Sequence, residues 1–417
     1  MAVRSAMHHA GAVALRELLQ FPAPATEQHT LPCACGQQAS YRELRSKPVL
    51  TAVGSVKVSR PYYLCPHCHV GQFPADVELD IEDTETSPGV RRMQAIVGQD
   101  APFDRGRRQM KLLANLEVTA KAVERTAEAI GADIAAREQA ELHRATQLQL
   151  PIVIGKPIPF LYVQLDGTGV PVVKKETLGR TGKTEGQPAH TREAKLGCVF
   201  TQTTCDEEGF AIRDPGSTTY VGAIESAQEF GLRLYLEACK RGWHRAQKKV
   251  VICDGAEWIW NIAEQHFPGA IQIVDLYHAR QHLWELACKL FPNQQAEQER
   301  WMVVHKDALL DEGIIEDLVA SLRSIVSSNP ELAEKIRIES EYFQKNTARM
   351  RYPEFRAQHL FVGSGVIEAG CKAIIGSRCK QSGMFWTVRG ANAILALRCC
   401  HFNGRFEDYW EARRPAA

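Results

Sequence analysis

An apolar strand runs directly into an acidic residue in the segment Phe160-Leu-Tyr-Val-Gln-Leu-Asp166-Gly-Thr-Gly-Val-Pro-Val-Val173. Leu161, Val163 and Leu165 alternate with other residues, which predicts a strand with one packed face. Asp166 is followed by a glycine, a residue that lets another group approach the backbone closely. The segment therefore predicts a carboxylate presented at the end of a strand.

The same arrangement occurs again further along the chain. In Val250-Val-Ile-Cys-Asp254-Gly-Ala a strand ends in Asp-Gly, and an apolar helical pattern follows. A third acid, Glu368, lies in Gly363-Ser-Gly-Val-Ile-Glu-Ala-Gly-Cys-Lys372, which predicts the first turns of a helix. Taken singly, an Asp-Gly is more often a turn, and Glu368 is a solvated helix residue. Together, in the order strand, strand, helix, Asp166, Asp254 and Glu368 predict a carboxylate site for two divalent metals.

The composition is that of an ordinary soluble globular protein. The 417 residues carry a net charge of +1, with 45% hydrophobic and 24% charged residues, which predicts two or three domains and only a local nucleic-acid surface. The 13 cysteines lie mostly in apolar segments, which indicates reduced thiols in a cytoplasmic protein. No apolar run reaches the roughly 20 residues that span a bilayer, and we expect no secretory signal and no membrane partner.

Strand and helix patterns alternate after Pro151, which predicts an α/β sheet. The polar helical stretch between Asp254 and Glu368 is too long for a loop and predicts a helical insertion. We also expect a helix over residues 10–19, a helix stop at Gly131, and a helix from about 221 to 240. The predicted segments are an N-terminal helix (1–30), a zinc ribbon (31–85), a helical region (86–150), the first part of the core (151–290), the insertion (291–358) and the part carrying Glu368 (359–417).

Two cysteine pairs flank a set of short alternating stretches, a pattern that predicts a zinc ribbon. Thiolate ligation would hold together a segment whose own core is too small. The predicted ligands are Cys33, Cys35, Cys65 and Cys68. The first pair is Cys-x-Cys, which is tighter than the usual knuckle, so two alternatives stay open: four thiols without metal, or His67 or His69 as a substitute ligand.

Local basic stretches indicate where DNA would bind. Two helices around a short turn, with Thr119 as the N-cap of the second, predict a helix-turn-helix or a hairpin that only packs or dimerises. Beyond Asp166, a glycine-rich basic loop suits phosphate contact or is a solvated hairpin loop. The predicted DNA contacts are Arg107, Lys121, Arg125, Lys175, Arg180, Lys183, Arg378 and Lys380.

On its motifs the chain resembles the bacterial ISKra-type insertion-sequence transposases, a group similar to the Mutator-like transposases with an Asp-Asp-Glu site. The resemblance covers about residues 30 to 412. It is carried by Gln164-Leu-Asp-Gly-Thr-Gly-Val-Pro, Cys253-Asp-Gly-Ala-Glu-Trp-Ile-Trp, Val274-Asp-Leu-Tyr-His-Ala-Arg and the segment around Glu368 quoted above. It implies a ribonuclease-H-like core with a helical insertion before the catalytic glutamate. By matching motifs, Asp166, Asp254 and Glu368 would be the catalytic triad, and Asp275 and His278 would form an Asp-x-x-His element.

The resemblance implies a DNA transposase that cleaves the ends of an insertion sequence and joins them to target DNA. Its partners would be the terminal inverted repeats, target DNA and a second copy of the chain, in a bacterial, nucleoid-associated setting. The metal would be Mg²⁺ or Mn²⁺, with Asp166 bridging two ions roughly 3.5–4 Å apart. A structural zinc ion in the zinc ribbon would be a separate metal site.

Three further side chains have two interpretations each. Lys372, one turn after Glu368, either touches phosphate or forms an ion pair with Glu368. His278 either orients a phosphate or supports Asp254, unless it is only structural. Trp386 either stacks on a base or belongs to the core.

Three other functions compete with the transposase. The first is a metal-dependent nuclease without strand transfer. The second is a catalytically inactive zinc-ribbon DNA-binding protein derived from a transposase. The third is a two-carboxylate glycosidase, for which the sequence shows no aromatic-rich sugar cleft and which leaves the zinc ribbon without a role.

Overall fold

The computed structural model describes residues 2–147, 150–151, 153–182 and 187–413. The chain forms two compact units, one of Met1–Ile134 with Gly404–Ala417 and one of Ala135–Asn403. The predicted helical region 86–150 is thus divided between the units, and the last residues of the predicted segment 359–417 belong to the first unit.

The first unit combines a small antiparallel sheet with helices. Its four strands are hydrogen-bonded in sequence order, and the hairpin of the two long strands buries Val49 and Val58 against Ile81. Its first helix begins earlier than the predicted residue 10. The elements are α1 (Ala2–Leu18), β1 (Thr30–Pro32), β2 (Gln38–Thr51), β3 (Gly54–Leu64), β4 (Gly71–Gln72), α2 (Pro74–Glu78), α3 (Pro88–Asp100), α4 (Phe103–Ala114) and the start of α5 (Ala120–Thr146).

The turn between α4 and α5 follows the prediction, whereas the end of α5 does not. Thr119 Oγ1 accepts a hydrogen bond of 3.0 Å from the amide of Ala122, so Thr119 is the predicted N-cap. The predicted stop at Gly131 is wrong, because α5 continues to Thr146. Gly131 is buried, and the glycine penalty of about 1 kcal/mol is outweighed by the packing and by the alanine-rich sequence around it.

The second unit begins with a run of strands, then alternates helices and strands, and then becomes wholly helical. The alternation and the helical stretch follow the prediction. Short 3-10 turns and two π-helical segments, Val303–Asp311 and Cys371–Gly376, interrupt its regular elements. The regular elements up to α8 are β5 (Ile158–Pro171), β6 (Thr191–Gln202), β7 (Thr204–Cys205), β8 (Ala211–Ile212), β9 (Thr219–Ala223), α6 (Ala227–Lys240), β10 (Ala246–Cys253), α7 (Glu257–His266), β11 (Ile271–Val274) and α8 (Leu276–Leu290). The later helices are α9 (Gln295–Met302), α10 (Ile315–Ser324), α11 (Pro330–Lys345), α12 (Tyr352–Ala357), α13 (Gly365–Gly370), α14 (Ser377–Cys379) and α15 (Val388–Phe402). The last helix of the chain, α16 (Phe406–Glu411), belongs to the first unit.

A five-stranded mixed sheet in the order β11-β10-β5-β6-β9 forms the centre of the second unit. β5, β6 and β9 pair antiparallel, whereas β5, β10 and β11 pair parallel. The predicted α/β class is therefore confirmed. The prediction of one packed face on β5 is wrong, because Leu161, Tyr162, Val163 and Gln164 are all fully buried. β5 is the central strand of the sheet, and a central strand with both faces covered has no alternation.

The predicted helix start near residue 221 is also wrong. Residues Thr219–Ala223 form β9, which pairs with β6. The helix begins only after Ser226, whose hydroxyl accepts from the amide of Glu229 while the Glu229 carboxylate accepts from the amide of Ser226. This reciprocal capping box sets the boundary more strongly than the apolar pattern does. In the described parts of the chain, no helix combines the length and the apolar character that crossing a bilayer requires.

Candidate active site

Parallel strand pairing places three aspartates side by side, where β10 and β11 end next to β5. Ile252 of β10 pairs with Gln164 of β5, so Asp254 and Asp166 are neighbours two residues further along. Asp275 directly follows β11, the next strand of the sheet. Neighbouring strands lie about 4.7–4.9 Å apart, so the three carboxylates emerge close together.

A buried glutamine attaches the helix of Glu368 to the same strand. The Gln164 side chain donates to the Gly363 carbonyl (3.1 Å) and accepts from the Ile367 amide (3.0 Å). Because Gln164 and Asp166 are two residues apart on β5, they share one face of the strand. The amide of Gln164 thereby positions the start of α13, and with it Glu368, over Asp166.

The acids converge on one cavity of about 370 Å³. Asp166, Asp254, Asp275 and Glu368 all line it, and none of the described residues that line it is a lysine or an arginine. The other lining residues are Leu165, Tyr277, His278, Gln281, Ser364 and Ile367. Carboxylates grouped without a compensating protein cation are the donor set that a divalent metal requires.

The electrostatics of Asp166 agree with a cation-binding role. Burial is the main cause that raises the pKa of Asp166, and the charges of Asp254 and Glu368 add to it. The amide of Gly167 (2.6 Å) and the thiol of Cys371 (3.4 Å) donate to its two oxygens and oppose the shift. A bound cation would remove the repulsion that makes this carboxylate costly to ionise.

The acids are grouped less tightly than the cysteines of the first unit. Among the described residues, the four cysteines are the potential metal ligands that gather within 4.8 Å of one another. The four acids share the lining of one cavity, and hard carboxylate oxygens of this kind are the ligands that divalent cations such as Mg²⁺ prefer.

Comparison with known proteins adds little to this geometry. No protein-family model matches the sequence, and no curated protein matches it. Among solved structures the chain is similar to a Drosophila P element transposase strand transfer complex, at 7% identity and a TM-score of 0.27, over 82% of this chain and 84% of that one. Function therefore has to be inferred from the site itself.

The side chain of Asp275 links the starts of two helices by hydrogen bonds. Its Oδ1 accepts from the amide of His278 (2.6 Å) and caps α8, and its Oδ2 accepts from the amide of Ser364. Asp275 is only 1% exposed, and backbone amides occupy both of its oxygens. It joins the start of α8 to the loop before α13.

Three predicted basic residues near Glu368 lie in different surroundings. Lys372 is exposed and does not line the acid cavity. Lys380 is exposed and donates to Thr168 Oγ1, on the strand of Asp166. Arg378 is fully buried, with its guanidinium 4.9 Å from the ring centre of Trp386. The expectation that Arg378 contacts DNA is therefore corrected, because a buried guanidinium cannot reach a phosphate. Trp386 is also a core residue, at 5% exposure.

The remaining predicted DNA contacts lie on exposed or half-buried surface where the structure describes them. Arg107 pairs with Asp104 (2.8 Å) and Lys121 pairs with Glu124 (2.6 Å). Exposed pairs of this kind contribute about 0–1 kcal/mol, so either side chain can exchange its carboxylate for a phosphate at little cost. Arg125, Lys175 and Arg180 are exposed. Lys183 lies outside the described residues.

The four predicted zinc ligands form a compact cluster in the first unit. Their sulfur atoms lie within 4.8 Å of one another, with Cys33 and Cys68 at 3.5 Å and Cys35 and Cys65 at 3.6 Å. The backbone amide of Cys68, followed by that of His67, lowers the pKa of Cys65 to about 6, whereas the pKa of Cys68 is raised to about 12 by hydrogen bonds from the neighbouring thiols and by burial. Cys65 is therefore the thiolate that the metal-free cluster favours. His67 and His69 are exposed and outside the cluster. The arrangement could hold a tetrahedral zinc ion.

Several residues at the site were not found from the sequence. Gln164 had a visible signal, since it is a polar residue two positions before Asp166 in an apolar strand. His282 follows His278 by one helical turn, and Cys371 follows Glu368 by three residues, so both share a face with a predicted site residue. Glu339 and Tyr342 lie far along the chain, and no sequence pattern connects them to the cavity.

Proposed function

We propose that this chain is a metal-dependent DNA transposase with a ribonuclease-H-like catalytic core. Asp166, Asp254 and Glu368 hold Mg²⁺ or Mn²⁺ in this proposal. The observation that carries it is the single cavity lined by four carboxylates and, among the described residues, by no lysine or arginine. The sheet supports it, because three antiparallel strands are extended by two parallel ones and the acids lie on the central strand and its parallel neighbour.

The acids act together in the proposal. Asp166 lies beside Asp254 and under the helix of Glu368, so the three carboxylates would hold the metal together. Gln164 and Asp275 hold the backbone that carries these ligands. Bound Mg²⁺ would activate a water against a phosphodiester and stabilise the leaving 3′ oxygen. The freed 3′-hydroxyl would then attack a phosphodiester of target DNA at the same cavity, which forms a new phosphodiester bond and releases a 3′-hydroxyl of the target strand.

The first unit is proposed to supply DNA binding through its zinc ribbon and the α4–α5 pair. A homodimer or larger assembly would pair the two ends of the element. We further expect a cytoplasmic, nucleoid-associated protein.

A cleavage and joining assay tests the function. Duplexes carrying the terminal sequence of the element are incubated with Mg²⁺ and a target plasmid. A transposase yields 3′-hydroxyl nicks and joined products. Nicks without joining would support the metal-dependent nuclease, and DNA binding without any metal-dependent cleavage would overturn the proposal in favour of an inactive DNA-binding protein.

Divalent cations should raise the thermal stability of the second unit. Binding relieves the repulsion among the acids of the cavity, and saturation at about 100 times Kd corresponds to about 2.7 kcal/mol. We expect Mn²⁺ to raise the Tm of the wild type, and Asp254→Asn to lose most of this shift. The exposed Glu207→Gln variant is the control and should respond like the wild type. A wild type whose Tm ignores Mn²⁺ would argue against a metal site.

Replacing Gly255 should disturb Asp254 directly. Gly255 has φ of +97°, and an added Cβ would lie 2.9 Å from the Tyr342 hydroxyl, which donates to the Asp254 carbonyl at 3.4 Å. We expect Gly255→Ala to cost about 1–3 kcal/mol of stability and to slow nicking by about 10²-fold through misplacement of the ligand. Urea unfolding and nicking rates measure the two effects.

Gly269→Ala is the matched control for this variant. Gly269 also has a positive φ of +76°, but no atom of the described residues lies within 4 Å of the position that an added Cβ would take there. It should lose stability through backbone strain and keep its nicking rate. Equal nicking by both glycine variants would show that Gly255 does not position Asp254.

A further inference from the structure

A row of three hydrogen-bonded side chains leads from the helices after α8 to the acid cavity. Glu339 of α11 lies 2.8 Å from Nδ1 of His282, and Nε2 of His282 lies 3.3 Å from Nε2 of His278. His278 lines the cavity together with the acids. The proposed function so far gives no role to Glu339 or to His282.

The surroundings of Glu339 and His282 hold these two side chains in one geometry. Glu339 is 1% exposed and also forms an ion pair with Lys335. The ring of Tyr342 stacks on His282, with centroids 4.1 Å apart and an interplanar angle of 15°. Burial opposes ionisation of Glu339, but the hydrogen bonds from His282 and Lys335 hold its pKa below the ordinary value. Glu339 is therefore a carboxylate, and a carboxylate only accepts hydrogen bonds.

The donor and acceptor roles of His282 and His278 then follow from that of Glu339. Because Glu339 accepts, Nδ1 of His282 carries the proton. In a neutral imidazole the other nitrogen is an acceptor, so Nε2 of His282 accepts from Nε2–H of His278. The remaining nitrogen of neutral His278, Nδ1, then has no proton. Lys335 already offsets the single charge of Glu339, so a second cation on His282 is not required.

We propose that Glu339 and His282 are positioning residues that fix the tautomer of His278 and make its Nδ1 a hydrogen-bond acceptor. His278 lines the cavity, so a group there that reaches Nδ1 would be a hydrogen-bond donor, such as the nucleophilic water or a DNA 3′-hydroxyl. A phosphate oxygen has no proton to donate and is not that group. This inference rests on the proposed function for the identity of the donor, but the tautomer assignment itself does not.

Nitrogen-15 NMR of histidine-labelled full-length protein tests the assignment at about pH 8, where unperturbed histidine is neutral. His278→Gln and His282→Gln spectra identify the two rings. We expect Nδ1–H on His282 and Nε2–H on His278 in the wild type. In Glu339→Gln the side-chain amide can donate to His282 as well as accept from it. Neither His282 nor His278 should then keep a single preferred tautomer. Glu341→Gln is the control, since Glu341 is two residues away and exposed in a pair with Arg337. It should leave both tautomers unchanged.

Two results would overturn the proposal: Nδ1–H on His278 in the wild type, or unchanged tautomers in Glu339→Gln. The nicking assay supplies a second readout. Loss of an outer hydrogen-bonding partner typically costs 10–100-fold, so Glu339→Gln should lower kcat by about that factor with little change in KM for DNA. A loss confined to KM would contradict the positioning role. If the wild type does not nick DNA, the proposed function fails, while the NMR result still decides the tautomer.

Discussion

Asp166→Asn is expected to reduce metal-dependent nicking by about 10³-fold or more. The carboxylate lines the cavity beside Asp254, together with Glu368. An amide has the same shape but no charge, so it cannot compensate two divalent cations. Metal ions contribute several kcal/mol to the stabilisation of transition-state charge, and each 1.36 kcal/mol corresponds to a factor of ten in rate. Single-turnover nicking at saturating Mg²⁺ measures the loss.

The same variant should not be less stable than the wild type. The folded-state pKa of Asp166 is raised, chiefly by burial, so the folded state binds the proton more tightly than the unfolded state does. The unfolding free energy therefore falls as pH rises from the unfolded pKa through the folded one, and at neutral pH the ionised carboxylate destabilises the metal-free protein. We expect Asp166→Asn to unfold at the same or a higher temperature without metal.

The control for this pair of results is Glu207→Gln, which removes an exposed carboxylate from the same unit. It should nick like the wild type and unfold at the same temperature. Normal nicking by Asp166→Asn would exclude Asp166 as a metal ligand. A loss of activity together with a large loss of stability would indicate a structural role.

Cys65→Ser is expected to abolish zinc binding and to unfold the ribbon in the first unit. Serine lacks the thiolate that the pKa of Cys65, lowered to about 6 by the amides of Cys68 and His67, makes available at neutral pH. The free energy of structural zinc binding is about 10–16 kcal/mol in small peptides, which is comparable to the whole stability of a domain, about 5–15 kcal/mol. The local core around Cys33, Ala39 and Tyr63 is too small to replace it.

Zinc content by mass spectrometry and limited proteolysis of the first unit measure this effect. The control is Cys288→Ser, a half-buried cysteine of α8 outside the cluster. It should retain zinc and resist proteolysis. A wild-type protein that contains no zinc, or a Cys65→Ser protein as resistant as the wild type, would favour the alternative of four reduced thiols.

Local patterns explain the predictions that the structure confirms. The alternation of strands and helices, the cap at Thr119 and the helical stretch before Glu368 each depend on residues close in sequence. The corrected predictions involve competition from distant residues. Gly131 continues a helix because of packing, residues 221–223 pair with β6 as a strand, and Arg378 enters the core beside Trp386.

By itself, the sequence determined which residues are the candidates for the metal sites, because strand ends, helix starts and paired cysteines have short-range patterns. Only the tertiary structure decided how those residues are held. The amide of Gln164 contacts α13 across 203 positions of the chain, Asp275 reaches Ser364 across 89, and Glu339 reaches His282 across 57. Hydrogen bonds between residues so far apart depend on the complete packing of sheet and helices, and no periodicity along the chain encodes their geometry.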